Sequence, residues 1–171
     1  MDGTLAAIFL IASLTDMNLN DCDSGCLQQK DQQARLVLQG AAVEFQDEII
    51  GQEIYLGYEF GKADGPFQPI IGASMTDTHD IWLGMGAKWT SKDIFDGPIF
   101  ASATLMPGYY QQGDGPDLGG NLQFRASLGL GYAFDNGMTA TVAYDHRSNA
   151  DTQRLNPGLE TISLQIAFPF D

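Results

Sequence analysis

The chain of 171 residues carries 22 acids against 8 bases, a formal net charge of −14, with 20 glycines and 11% aromatics. That balance disfavours a nucleic-acid binder, which needs a basic face, and no apolar run reaches the roughly 18–20 residues of a membrane-crossing helix. A hydrophobic fraction of 44% is too high for disorder, and a mean hydropathy of −0.11 reads, on average, as a soluble acidic β protein.

The first segment is set apart from the rest. Leu5–Leu14 (LAAIFLIASL) is the one continuous apolar run, and its length suits the h-region of a secretory signal. The leading residues carry no Lys or Arg and no A-x-A site follows, so a short buried helix is the alternative. Cys22 and Cys26 form a C-x₃-C pair. The two histidines, His79 and His146, lie far away in sequence, so no zinc ligand set is expected. A small disulfide loop or two free thiols remain, and neither cysteine has catalytic surroundings. Residues 1–33 are therefore expected to be a signal-like or flexible N-terminal segment, and 34–171 a β-barrel catalytic domain.

From about Ala34 the pattern changes to a period of two, with turn residues at even intervals. The expected strands are 34–45, 51–60, 67–76, 79–89, 98–108, 119–133, 138–147 and 159–170. Connections at 61–66, 91–98 and 134–137 are compact and rich in Gly, Asp and Pro. Those at 109–118 and 149–158 are longer and polar. Short turns alternating with longer loops is the plan of an all-β, eight-stranded antiparallel up-and-down barrel.

In the sixth expected strand the even positions are Leu122, Phe124, Ala126, Leu128, Leu130 and Tyr132, and the odd positions include Gln123, Arg125 and Ser127. The seventh and eighth strands sort in the same way. A soluble lipid-binding barrel would turn the apolar face inward, and a transmembrane barrel would turn it to lipid. Lipid is favoured by Glu53, Glu59, Arg125 and Gln165 on the polar face, a strange exterior for water with so few Lys. Aromatics also gather in two girdles. Trp89, Tyr132, Phe134, Phe168 and Phe170 lie near the short turns, and Tyr109, Tyr110 and Tyr144 near the longer loops. Arg125 is expected to pair with lumen acids such as Glu53 or Glu59, and His79 to be an exposed or structural loop residue.

Common catalytic motifs are absent, with no G-x-S-x-G, H-E-x-x-H or phosphate-binding loop. The stretch Tyr144–Glu160 is what carries chemistry. His146 and Ser148 are two apart, so on a strand both leave the same face, where an imidazole can take a hydroxyl proton. A register that sets His146 opposite Glu160 also pairs Tyr144 with Ile162 and Val142 with Leu164, all on the apolar face. Asp145 points the other way. Glu160 is therefore the better orienting carboxylate, and the three form a Ser-His-Glu triad suited to acyl transfer.

His146-x-Ser148-Asn149 followed by Asn156-x-Gly158-x-Glu160 resembles the lipid A 3-O-deacylase family of outer-membrane enzymes. The resemblance covers the last two strands closely and the eight-strand plan in outline. It implies a serine esterase that removes the ester-linked 3-hydroxyacyl chain at the 3-position of lipid A, with Ser148 as nucleophile, His146 as general base and then acid, and Glu160 as orienter. It further implies an oxyanion-stabilising or substrate-positioning role for Asn149 and Asn156, through side-chain or nearby backbone N–H groups. Arg147 and Arg154 become candidate contacts for the lipid A phosphates, with solvated loop arginines as the alternative. No metal or cofactor is implied. The partners are lipopolysaccharide and outer-membrane lipid, with room for a homodimer, and the site faces the outer leaflet. The competing readings are a non-enzymatic small outer-membrane barrel and a soluble lipid-binding β-barrel.

Overall fold

Alternating apolar and polar residues carry the chain through eight long strands, because each strand can then offer one face to a packed interior and the other to lipid. The structure, a computed structural model, describes residues 3–23, 25–94 and 97–170. Met1, Asp2 and Ser24 of the expected N-terminal segment, Phe95 and Asp96 of the expected 91–98 connection, and Asp171 at the end of the expected barrel domain lie outside them. The barrel strands are β2 (Arg35–Phe45), β3 (Glu48–Glu59), β5 (Gln68–Thr76), β6 (Ile81–Thr90), β7 (Ile99–Gln111), β8 (Leu122–Ala133), β9 (Thr139–Ser148) and β10 (Leu159–Pro169). They close in the order β10-β2-β3-β5-β6-β7-β8-β9, every neighbour antiparallel. Closure leaves no strand edge unpaired, which lipid demands of a sheet. Outside the barrel lie helix α1 (Thr4–Asp16) and a two-stranded ladder of β1 (Gln29–Asp31) with β4 (Lys62–Asp64).

The polar face is the inner one. Gln123, Arg125 and Asp145 are at most 4% exposed, whereas Leu130, Val142 and Leu164 on the opposite face are 64%, 59% and 55% exposed. The apolar-interior alternative is thereby overturned, and the chain is a barrel of the outer-membrane kind. The lumen is filled rather than open. Arg125 pairs with Glu53 at 2.9 Å and with Asp145 at 3.2 Å, and Arg147 pairs with Glu53 at 2.7 Å. Asp145 also accepts from Thr161 at 3.0 Å. Glu59 belongs to a separate group with Lys88 and Arg35. Tyr55 lies across a wall of glycine, where a Cβ on Gly72 would meet its hydroxyl oxygen at 2.0 Å.

Two girdle residues sit otherwise than expected. Tyr110 points into the lumen and is 2% exposed, because it has the inward parity of Trp82 opposite it on β6. Trp89 faces outward but is covered by α1. At the short-turn end, Tyr58 meets Phe60 and Phe170 edge-on, and Tyr132 meets Phe134. Cys22 and Cys26 form a disulfide. His79 is exposed at a left-handed turn position, 3.6 Å from Asp114.

Candidate active site

Strand β9 brings His146 and Ser148 to the outer, lipid-facing wall near the end of the barrel that carries the 112–121 and 149–158 loops. The register on β10 pairs Glu160 with His146, Ile162 with Tyr144 and Leu164 with Val142, the pairing expected from parity. On the other side β8 sets Ala126 beside His146 and Phe124 beside Ser148. All of these share one face.

Within it, His146 Nδ1 lies 2.9 Å from Glu160 Oε1. A carboxylate accepts, so the Nδ1–H donates and Nε2 is left as the basic nitrogen. The pair is sheltered, with side chains 7% and 16% exposed. His146 and Ser148 line one pocket of about 350 Å³ together with Asn156, Asp151 and the apolar side chains of Leu105, Phe124 and Ala126. Among the described residues no hydrogen bond joins Ser148 to His146. Catalytic contacts of this kind are often long before substrate binds.

The 149–158 loop is knotted by its own polar groups. The Asn149 backbone N–H donates to Asn156 Oδ1 at 3.0 Å, and Asn156 Nδ2 donates to Asp151 Oδ1 at 2.9 Å. Asn149 Nδ2 is shared between the carbonyls of Leu155 and Leu118 at 2.6 and 3.0 Å, which ties this loop to its neighbour. Ala150 and Asp151 take the left-handed conformation at φ 52° and 58°. Asn156 therefore stands at the pocket, while the Asn149 side chain is fully buried beneath the loop.

Arg147 corrects an expectation. Its odd position turns it into the lumen, where it is 3% exposed, bonded to Glu53 and stacked over Trp82, so it cannot meet a phosphate outside. Arg154 is exposed on the loop beside the site. The apolar pocket walls were not singled out from the sequence. Parity alone could have found Phe124 and Ala126, since both share the outward face of His146, Ser148 and Glu160.

A closed eight-stranded barrel with a His–Glu pair and a serine on its lipid-facing wall defines a membrane-embedded protein with the parts of a hydrolase. The chain belongs to the lipid A 3-O-deacylase (PagL) family, whose model matches residues 54–169. The family is one of lipid A deacylases, hence of ester hydrolases. The fold is similar to the crystal structure of the outer membrane enzyme PagL, with a TM-score of 0.63 and 22% identity over 78% of this chain and 99% of that one. It is also similar to a de novo designed transmembrane β-barrel, with a TM-score of 0.60 and 13% identity over 84% and 99% of the two chains. Neisserial surface protein A gives a TM-score of 0.55 at 11% identity, again over 84% and 99%. Comparison with curated proteins gave no match.

Proposed function

We propose that the protein is an outer-membrane serine esterase that removes the ester-linked 3-hydroxyacyl chain from the 3-position of lipid A. The observation that carries this reading is the His146–Glu160 hydrogen bond at 2.9 Å, on a wall that faces lipid and in a pocket shared with Ser148. A structural ion pair has no reason to leave a polar trio on the lipid side, whereas an enzyme whose substrate is a lipid has to place its groups there.

In this reading His146 Nε2 takes the proton of Ser148 Oγ as the oxygen attacks the ester carbonyl. The tetrahedral intermediate collapses by breaking the bond to the sugar oxygen, which leaves with the proton from His146. Water, deprotonated by the same imidazole, then releases the 3-hydroxy fatty acid and restores the serine. Glu160 holds the imidazole in its tautomer and stabilises the imidazolium. Asn149 and Asn156 act as positioning residues by fixing the loop at the pocket rim, and Arg154 is the base placed to meet a lipid A phosphate. The two longest loops, 112–121 and 149–158, lie at the end that carries the site, and the opposite end carries both termini of the strand circuit. That end is periplasmic in barrels of this class, which supports a site open to the outer leaflet.

The test is purified protein with lipopolysaccharide in detergent, with released 3-hydroxy fatty acid read by mass spectrometry. The parent protein releases it and Ser148→Ala does not. Release persisting in that variant would refute the assigned nucleophile.

A further inference from the structure

Helix α1 lies outside the family-matched residues and packs against the outer wall over β6, β7 and β8. Its buried positions Leu5, Phe9, Ser13 and Asp16 recur at helical spacing. Phe9 packs with Trp89 and Ala103, and Asp16 Oδ2 accepts from Trp89 Nε1 at 2.8 Å. The far side shows Leu10, Ile11 and Leu14, 45%, 68% and 46% exposed, which suits a helix with barrel on one side and lipid on the other. Past its C-terminal end, the β1–β4 ladder and a Gly65 N–H···O=C Gln28 bond at 3.0 Å hold the segment to the barrel.

The first turn of α1 reaches the pocket of Ser148 and His146. Leu5 and Ala6 line it beside Leu105, Phe124 and Ala126. Ala126 and His146 are 5% and 6% exposed, whereas Leu130 and Val142 on the same outward face are 64% and 59% exposed. The site is therefore a pocket covered by α1, with the apolar Leu5, Ala6, Leu105, Phe124 and Ala126 in its lining beside the polar His146, Ser148, Asp151 and Asn156. That mixed lining fits an aliphatic chain ending in an ester.

We propose that α1 is a resident part of the enzyme and forms one wall of the acyl pocket, with Leu5 and Ala6 setting the length of chain that reaches Ser148. The proposal rests on the esterase reading above. Its test uses the full chain on lipid A species bearing a ten-carbon or a fourteen-carbon 3-hydroxyacyl chain at the ester position. Ala6→Trp fills the pocket and should raise the kcat/KM preference for the shorter chain about tenfold, the scale of discrimination that apolar pockets reach over methylene groups. Leu5→Ala opens it and should shift the preference the other way. Circular dichroism verifies the barrel in each variant, and if the tryptophan variant does not fold, the alanine variant carries the test. An unchanged ratio in active, folded variants overturns the wall alone. So does an intact mass showing that the purified outer-membrane protein lacks α1. A parent enzyme inactive on both lipids overturns the esterase reading and the wall with it.

Discussion

His146 is held along its Nδ1–Cε1 edge. Glu160 accepts from Nδ1, and beside it stands Gly158, whose φ of +78° and missing side chain let the loop pass next to the ring. A Cβ there would meet His146 Cε1 at 2.9 Å. Gly158→Ala should thus displace the imidazole and also strain a left-handed residue, at about 1–2 kcal/mol. The expected outcome is a lowered kcat with a modest fall in the unfolding midpoint, read by steady-state assay and denaturant titration. Glu160→Ala removes only the orienter, so its loss of kcat should be roughly ten- to a hundredfold smaller than that of Ser148→Ala. Equal losses would mean that Glu160 does more than orient. The trio was legible in the sequence because His146, Ser148 and Glu160 share a parity that a hairpin register must respect. Arg147 was legible by the same rule, and proximity in sequence misled where parity would have sent it inward. The turning of Asn149 beneath the loop could not be foreseen, since left-handed Ala150 and Asp151 carry no glycine to signal the bend.

Strands β8, β9 and β10 were readable nearly to their ends, because their apolar and polar positions alternate without interruption. The β2–β3 hairpin was less so. Its two-residue turn places Gln46 and Asp47 at φ 52° and 66°, and neither residue is the glycine that usually marks such a turn, so β3 begins at Glu48 rather than near 51. A register shift at Val43/Glu44 accompanies it. At this scale the lumen network joins the elements, since Glu53 on β3, Arg125 on β8 and Asp145 and Arg147 on β9 link strands from opposite walls. Two bases and two acids balance there. Arg125→Leu leaves Glu53 with Arg147 and the Ser74 hydroxyl and Asp145 with hydroxyl and amide groups alone, and breaking such a buried set costs about 3–5 kcal/mol. Urea unfolding of the variant in detergent micelles should show that loss. An unchanged midpoint would mean that the lumen is wet enough to solvate both acids.

For the whole molecule, a mean hydropathy near zero is the average of two opposed surfaces, a filled polar lumen and an apolar outer wall. The order of strands followed from the shortness of every connection, since none is long enough for a parallel crossover and each strand must pair antiparallel with the next. The docking of α1 did not, because a run apolar on every side does not say which side meets protein. Whether the outer wall faces lipid has its own energetic signature. Leu164 lies halfway along β10 and is 55% exposed, while Ile99 opens β7 at the short-turn end and is 62% exposed. On a soluble barrel, arginine at either exposed position would change stability by about 0.5 kcal/mol or less. In a bilayer the cost depends on depth, roughly 2–4 kcal/mol at the midplane and about 0–1 near the interface. Leu164→Arg should accordingly weaken folding into phospholipid vesicles several times more than Ile99→Arg, measured as the difference in denaturant midpoint between the two variants and the parent. Equal small effects would place both residues in water and undo the lipid-facing assignment on which the position of Ser148 depends.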